Sequence, residues 1–354
     1  MKSLGNFPDP FIAEIVGQPD AIRRAAAGLR DRIDALRDVA EAARGRALVL
    51  TGMGASYDAC YPLASALARA GRIAPMLDAA ELLHFRTGAL RGDVLVVAVS
   101  QSGSSAEIVR LAELLAERNV PVVAVTNGTE NPLAGLATHL FDTRAGEERG
   151  PSSMTFAASL VVLAAIGRAI AGDDAGEAAD EVGVDAERAA DALSALLADG
   201  SVGDEVLSTI GERPTIVLLG RGPARAAAEL GALTLKEAAG VLAESFEAAQ
   251  FRHGPLELAG PDLAAVVFAT EPETEALDRR IAGELAEAGG SVVLVSRRGD
   301  TVRGALGIRI GEVDRSLAAA VAVVPVQLLA HRLAILRGRE PGTYVRATKV
   351  TSRE

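Results

Sequence analysis

Four hydroxyls fall within six residues in Ser100-Gln101-Ser102-Gly103-Ser104-Ser105, between an apolar run and a helix-forming stretch that starts at Ala106. A phosphate dianion suits such a place, because free backbone N–H groups, hydroxyl donors and the positive end of a helix dipole converge there. Serine and glycine are also ordinary turn and capping residues, a reading that fits one serine better than four. Three further polar clusters stand out: Thr51-Gly52-Met53-Gly54-Ala55-Ser56-Tyr57, Thr126-Asn127-Gly128-Thr129 and Ser152-Ser153-Met154-Thr155. Proton chemistry is offered elsewhere, by Glu237 and His253. Glu237 lies in a helical pattern, where a solvated face is the plain alternative, and His253 precedes Gly254-Pro255 in a turn. Near a sugar phosphate, a carboxylate can move a proton between neighbouring carbons and an imidazole can open the ring.

Other chemistries are excluded residue by residue. Gly220-Arg221-Gly222 follows an apolar run, but Arg225 stands where a dinucleotide fingerprint needs its third glycine, so no nicotinamide site is expected. His84, His139 and His331 show no ligand spacing, and Cys60 is the single cysteine, so neither a metal nor any other cofactor is expected.

These groups need a scaffold, and the apolar pattern supplies it. Short apolar runs alternate with helix-length Ala/Leu/Glu/Arg stretches, which predicts an α/β fold: doubly wound parallel sheets with helices on both faces. Strands are predicted over 47–51, 94–100 and 122–126, and again over 215–220, 264–269 and 291–296. Pairing Leu48, Leu95 and Val123 with Val217, Val266 and Val293 gives offsets of 169, 171 and 170 residues, as a duplicated domain would. The expected organisation is a helical segment (1–44), a first domain binding phosphate (45–172), a linker helix (173–205), a second domain (206–336) and a tail closing the site (337–354). Ligands of open parallel sheets bind beyond the carboxyl ends of the strands, where the serine-rich loop falls. The matching place in the second half reads Thr270-Glu271-Pro272-Glu273-Thr274, whose carboxylates repel an anion.

A formal net charge of −11 argues against nucleic acid as a partner. Residues 1–10 lack a basic stretch followed by an apolar one, and no uncharged apolar run reaches the ~18–20 residues of a membrane span. A cytoplasmic protein without a membrane partner is expected.

In combination, Glu14-Ile15 with Gln18-Pro19, Gly54-Ala55-Ser56-Tyr57, Ser100-Gln101-Ser102-Gly103, the Ser153 loop, Leu235-Lys236-Glu237, Arg252-His253-Gly254-Pro255 and Lys349-Val350-Thr351 resemble the sugar isomerase (SIS) family. That family includes the isomerase part of glucosamine-6-phosphate synthase, amino-sugar-phosphate deaminases, ketose/aldose isomerases and fructosamine-phosphate deglycases. The resemblance implies two SIS domains, a phosphorylated sugar as substrate, and a homodimer with sites between subunits. It implies that Ser100, Gln101, Ser102 and Ser105 bind phosphate and that Gly54, Ser56 and Ser153 lie along the sugar. Glu237 would shuttle the proton between C1 and C2, His253 would open the ring from the partner subunit, and Lys349 would lie near the carbonyl. The expected activity is aldose–ketose isomerisation of an amino-substituted hexose 6-phosphate with release of ammonia or an amine. The alternative is a non-catalytic sugar-phosphate sensor. Three departures stand out. Position 2 is not cysteine, so glutamine is not expected to supply nitrogen. Thr234 replaces a lysine of the synthases, and the tail around Tyr344 lacks their Pro-Arg pattern.

Overall fold

The computed structural model describes residues 10–299, 301–346 and 348–351; the remaining residues of the expected N-terminal segment and tail lie outside the described set. The chain forms two compact units, one of Asp20–Glu147, Met154–Glu187 and Ala347–Glu354, the other of Met1–Pro19, Glu148–Ser153 and Arg188–Arg346.

The first unit holds a parallel sheet of β1 (Ala47–Thr51), β2 (Val94–Ser100), β3 (Val122–Thr126) and β4 (His139–Asp142) in the order β1-β2-β3-β4. Val94, Val96 and Ala98 of β2 face a helix, Ala106–Glu117, that returns Ile108, Leu111, Ala112 and Leu115 to the same core. Each of the valine, leucine and isoleucine side chains contributes about 1.5–3 kcal/mol on burial, which ties the helix to the sheet below it. The helix ends where Asn119 takes φ +54°, a left-handed stop that asparagine tolerates. Met76 pairs in parallel with Leu50 on the outer side of β1.

The second unit holds β5 (Thr215–Gly220), β6 (Ala243–Glu247), β7 (Leu263–Ala269), β8 (Ser291–Ser296) and β9 (Ala305–Arg309), all parallel, in the order β6-β5-β7-β8-β9. β6 lies beside β5 as the Met76 bridge lies beside β1, so the two sheets share one topology. The six predicted strands are all present. β4, β6 and β9 were not anticipated. They are edge strands, part-exposed and carrying polar residues, so their apolar signal is weak.

Two helical stretches, Met154–Ala171 and Ala318–Leu336, are long and apolar enough to cross a membrane, although the sequence reading found no such run. Each carries one or two basic residues, and 89% and 78% of their residues are buried in the protein; a helix apolar all round is what a central core position requires.

The crevice at the carboxyl ends of β5 and β7 is filled from within. Arg221 Nε lies 2.6 Å from Asp278 Oδ1 and Arg221 Nη1 3.4 Å from Glu247 Oε1, while the Thr274 hydroxyl donates to Asp278 Oδ2 at 2.9 Å. Glu271, also buried, pairs with Arg315. Burial pushes the Asp278 carboxyl up, and Arg221 and Thr274 oppose that shift. Arg221→Met should therefore cost about 3–5 kcal/mol at neutral pH, the penalty of a buried charge stripped of its partner. Asp278 is raised in the folded state and raised further without Arg221, so its ionisation opposes folding. Protonating it removes the penalty, and the deficit should shrink as pH falls through its titration. Denaturant unfolding of both proteins at neutral and acidic pH reads this directly; a pH-independent deficit would rule out the ion pair as its source.

Candidate functional site

In the first unit, β2 delivers Ser100 to a loop that closes on itself. The buried Ser100 Oγ accepts the N–H of Gly103 at 3.2 Å, and Ser102 Oγ accepts that of Ser104 at 3.2 Å. The Ser104 hydroxyl donates to the Ser102 carbonyl at 3.1 Å. Neighbouring loops hold the turn: the carbonyls of Gln101 and Gly103 accept the N–H groups of Asn127 and Leu133, each at 3.0 Å. Gly103 adopts φ +60°, and a Cβ there would lie 1.9 Å from Asn131 Oδ1, so glycine is required. Ser105 occupies the N-cap of the Ala106–Glu117 helix without making a side-chain cap bond. Ser102 accepts through its oxygen, which leaves its proton to donate. Both hydroxyls are half-buried at the positive end of a 12-residue helix, the arrangement an anion needs.

The β1 loop lies alongside. A Cβ on Gly52 would stand 2.8 Å from Tyr57 N and 3.0 Å from the Val99 carbonyl, so this loop packs directly on β2. Gly54, at φ +53°, starts the short turn Ala55–Asp58, which carries the half-buried Ser56. The tail joins the same group: the Thr351 carbonyl accepts the N–H of Ala106 at 3.0 Å, with half-buried Lys349 two residues before it. Gly54, Ser56, Ser100, Gln101, Ser102, Ser105 and Lys349 thus belong to one unit. Cys60 is buried, and burial first, then Asp58, pushes its thiol up, which suppresses thiolate chemistry.

Glu237, His253 and Ser153 belong to the other unit. The helix Arg225–Thr234 runs on into a π-helical turn, Leu235–Ala239, and Gly240 at φ +61° ends it. Glu237 is half-buried on that turn, between buried Leu235 and Ala238. Such turns cluster at functional positions, because they re-aim a side chain off the regular helical face. Two arginines hold the carbonyls of its end: Arg339 Nε donates to Ala238 O at 3.3 Å and Arg337 Nη1 to Gly240 O at 3.2 Å.

The same unit holds two acids that the sequence reading gave no role, Glu14 and Glu148. Glu14 accepts the N–H groups of Arg149 and Gly150, at 2.5 and 3.0 Å. Glu148 Oε1 accepts the N–H of Ser153 at 2.9 Å and its hydroxyl at 3.3 Å; Ser153 itself is fully buried. Burial first, then the negative charges of Glu237, Glu148 and Glu14, pushes the Tyr344 phenol up. The signals available in the sequence were Glu14 in a matched stretch and Tyr344 at a departure from the family pattern; Glu148 carried none. His253 is exposed on the turn after Ala248–Phe251, its N–H donating to the Gln250 carbonyl at 2.9 Å. Among the described residues, no cluster of three or more His, Cys, Asp or Glu could hold a metal ion.

A duplicated doubly wound α/β protein with a serine-rich loop at a helix N-terminus in one half and a carboxylate on a distorted helical turn in the other is thereby defined. The chain belongs to the SIS domain family, whose profile matches residues 43–168 and 209–337. It is 30% identical to the isomerizing glutamine–fructose-6-phosphate aminotransferase of Pyrobaculum aerophilum and 28% identical to that of Thermococcus kodakarensis. Each match covers 96% of this chain, which spans 57% of the relative's length. Its fold matches the C-terminal domain of glucosamine-fructose-6-phosphate aminotransferase from Francisella tularensis with a TM-score of 0.82, at 21% identity over 95% of this chain and 98% of that one. It also matches tagatose-6-phosphate ketose/aldose isomerase from Escherichia coli with a TM-score of 0.79, at 22% identity over 96% and 95%.

Proposed function

We propose that the chain isomerises an amino-substituted hexose 6-phosphate between aldose and ketose forms and releases ammonia or an amine. The observation that carries this reading is Glu237, a half-buried carboxylate on a π-helical turn whose end is fixed by Arg337 and Arg339. In the open-chain aldose, Glu237 takes the C2 proton; the electron pair forms the C1–C2 double bond while the C1=O π pair moves to O1, which takes a proton from solvent, giving an enolamine. The same carboxyl returns the proton to C1 through the C1–C2 π pair, and the nitrogen lone pair forms the C2=N bond of an imine as the nitrogen gives up a proton to solvent. Water adds to that carbon, and loss of the amine gives the ketose phosphate. The Ser100–Gln101–Ser102 loop and Ser105 take the phosphate, as their donors and helix dipole support. Thr234 offers no amine to form an imine with the substrate, which supports release rather than transfer of nitrogen.

The exposed His253 supports a ring-opening role in the site of a second copy, so the working protein is proposed as a homodimer. A screen of hexosamine and fructosamine 6-phosphates, reading ammonia and ketose phosphate together, tests the reaction. One substrate should give both products in equal amounts; none giving either would favour the sensor. On the active substrate, mixed Glu237→Gln and His253→Ala subunits should regain turnover after exchange, because the hybrid holds one site with both groups intact.

A further inference from the structure

The polar cluster Thr126-Asn127-Gly128-Thr129 at the end of β3 takes no part in the proposed chemistry, yet its second residue is bonded on two sides. The Asn127 backbone N–H donates to the Gln101 carbonyl at 3.0 Å. Its side chain faces the segment that leaves β4. Oδ1 accepts the Thr143 hydroxyl at 3.1 Å and the Ala145 N–H at 2.9 Å, and Nδ2 donates to the Gly146 carbonyl at 2.7 Å. Asp142 makes the reverse connection, its Oδ1 accepting the N–H groups of Gly128 at 2.8 Å and Arg144 at 3.0 Å. One side chain from each strand thus laces the ends of β3 and β4 together.

The laced segment is strained. Arg144 takes φ +53°, a conformation that a residue with a Cβ keeps only where its surroundings impose it. Its N–H is on Asp142, its carbonyl accepts Arg24 Nε at 3.1 Å, and the two residues that follow are on Asn127. The side chain of Asn127 therefore has a fixed anchor.

From that anchor the effect reaches the serine loop through a planar group. Among the described residues no peptide bond is cis. In a trans peptide unit the carbonyl and the following N–H point in opposite directions. Holding the Gln101 carbonyl on Asn127 consequently turns the Ser102 N–H away from Asn127.

We propose that Asn127 is a positioning residue for phosphate binding: bonded through its side chain to residues 143–146, it holds the Gln101 carbonyl so that the Ser102 N–H is presented to the anion. This rests on the reading of the Ser100–Ser105 loop as the phosphate site. Were the peptide unit to rotate, a carbonyl oxygen would face the phosphate and repel it. An amide suits the anchor, because it accepts from a hydroxyl and an N–H while donating to a carbonyl; a carboxylate lacks the donor.

Asn127→Ala removes the three side-chain bonds and leaves the backbone N–H in place. Its affinity for fructose 6-phosphate, measured by calorimetry well below the melting temperature, should fall about tenfold. The position of the Ser102 N–H is read separately, by NMR of protein carrying ¹⁵N-serine, with the signal assigned by its loss in Ser102→Ala. Saturating fructose 6-phosphate should move that signal in the wild type, and fructose should not. In saturated Asn127→Ala the movement should be less than about half as large, since hydrogen-bonded amide shifts follow donor geometry. Should Asn127→Ala not fold, Thr143→Val takes one donor from Asn127 Oδ1 at nearly constant volume. The same two changes are then expected, with about threefold in affinity. An unchanged affinity overturns the proposal, and so does a wild-type Ser102 movement at saturation, which would make any loss of affinity a merely structural effect. A Ser102 signal that fructose 6-phosphate leaves in place in the wild type overturns instead the reading of the loop as the phosphate site, and this proposal with it.

Discussion

Glu237→Gln should bind sugar phosphate as the wild type does and lose about 10²–10⁴-fold in turnover, the usual worth of general base catalysis. Glutamine keeps the volume and one acceptor oxygen but cannot take a proton from carbon. The half-buried turn should accept it without rearrangement, because the contacts that end the turn are made by backbone carbonyls and not by this side chain. The sharper readout is exchange of the C2 hydrogen with deuterated solvent, which the variant should abolish. His253→Ala should slow ring opening yet spare exchange on a substrate already in the open-chain form. Wild-type exchange in Glu237→Gln would transfer the role to Glu244, paired with Lys236, or to Glu257 on the exposed turn Pro255–Leu258.

Gly103→Ala should lower affinity for sugar phosphates more than tenfold, and more than Ser102→Ala does. The serine change removes one hydroxyl donor, worth about 1–3 kcal/mol if the anion is charged. The glycine change moves the backbone. An alanine at φ +60° costs roughly 1–2 kcal/mol, and its Cβ would fall 1.9 Å from Asn131 Oδ1. Asn131 is not free to yield cheaply. Its side chain accepts the N–H of Ala134 as N-cap of the helix Pro132–Leu136 and donates to the Gly128 carbonyl. Relief of the clash therefore opens the turn that aims Ser102 and Ser105 and loosens the following loop. Calorimetric titration with fructose 6-phosphate, using fructose as the control, separates anion binding from sugar binding. Undiminished affinity in Gly103→Ala would exclude the loop as the phosphate site.

Much of this scaffold can be read from the chain because buried parallel strands write themselves as unbroken apolar runs. Val94–Ser100 and Leu263–Ala269 are buried at every position, so the runs marked both the strands and the loops at their ends. Ala243–Glu247 is also a parallel strand, but it lies at an edge with Glu244 exposed, and its alternation resembles a solvated helix face. The serine loop was legible since its chemistry is contiguous in sequence. The bonds of Glu14 to the N–H groups of Arg149 and Gly150 were not, because they join segments far apart in sequence that meet only through tertiary packing. The π turn was equally silent: residues 231–239 carry an ordinary helical pattern, and the distortion belongs to the backbone rather than to composition.

The ion pair of Arg221 with Asp278 bears on stoichiometry. A duplicated chain begins with two equivalent crevices and could in principle take two ligands, each felt by the other. Here the second crevice carries its own internal counter-ions, Arg221 and Arg315 against Asp278, Glu247 and Glu271. An entering phosphate would have to displace a carboxylate already neutralised at short range and then face the others. On the proposed assignment of the serine loop to the phosphate, the duplication leaves one crevice for an anion, while the other is occupied by its own ion pairs. Saturation should come at one equivalent of sugar phosphate per chain, with any cooperativity arising between chains and not between the two halves of one.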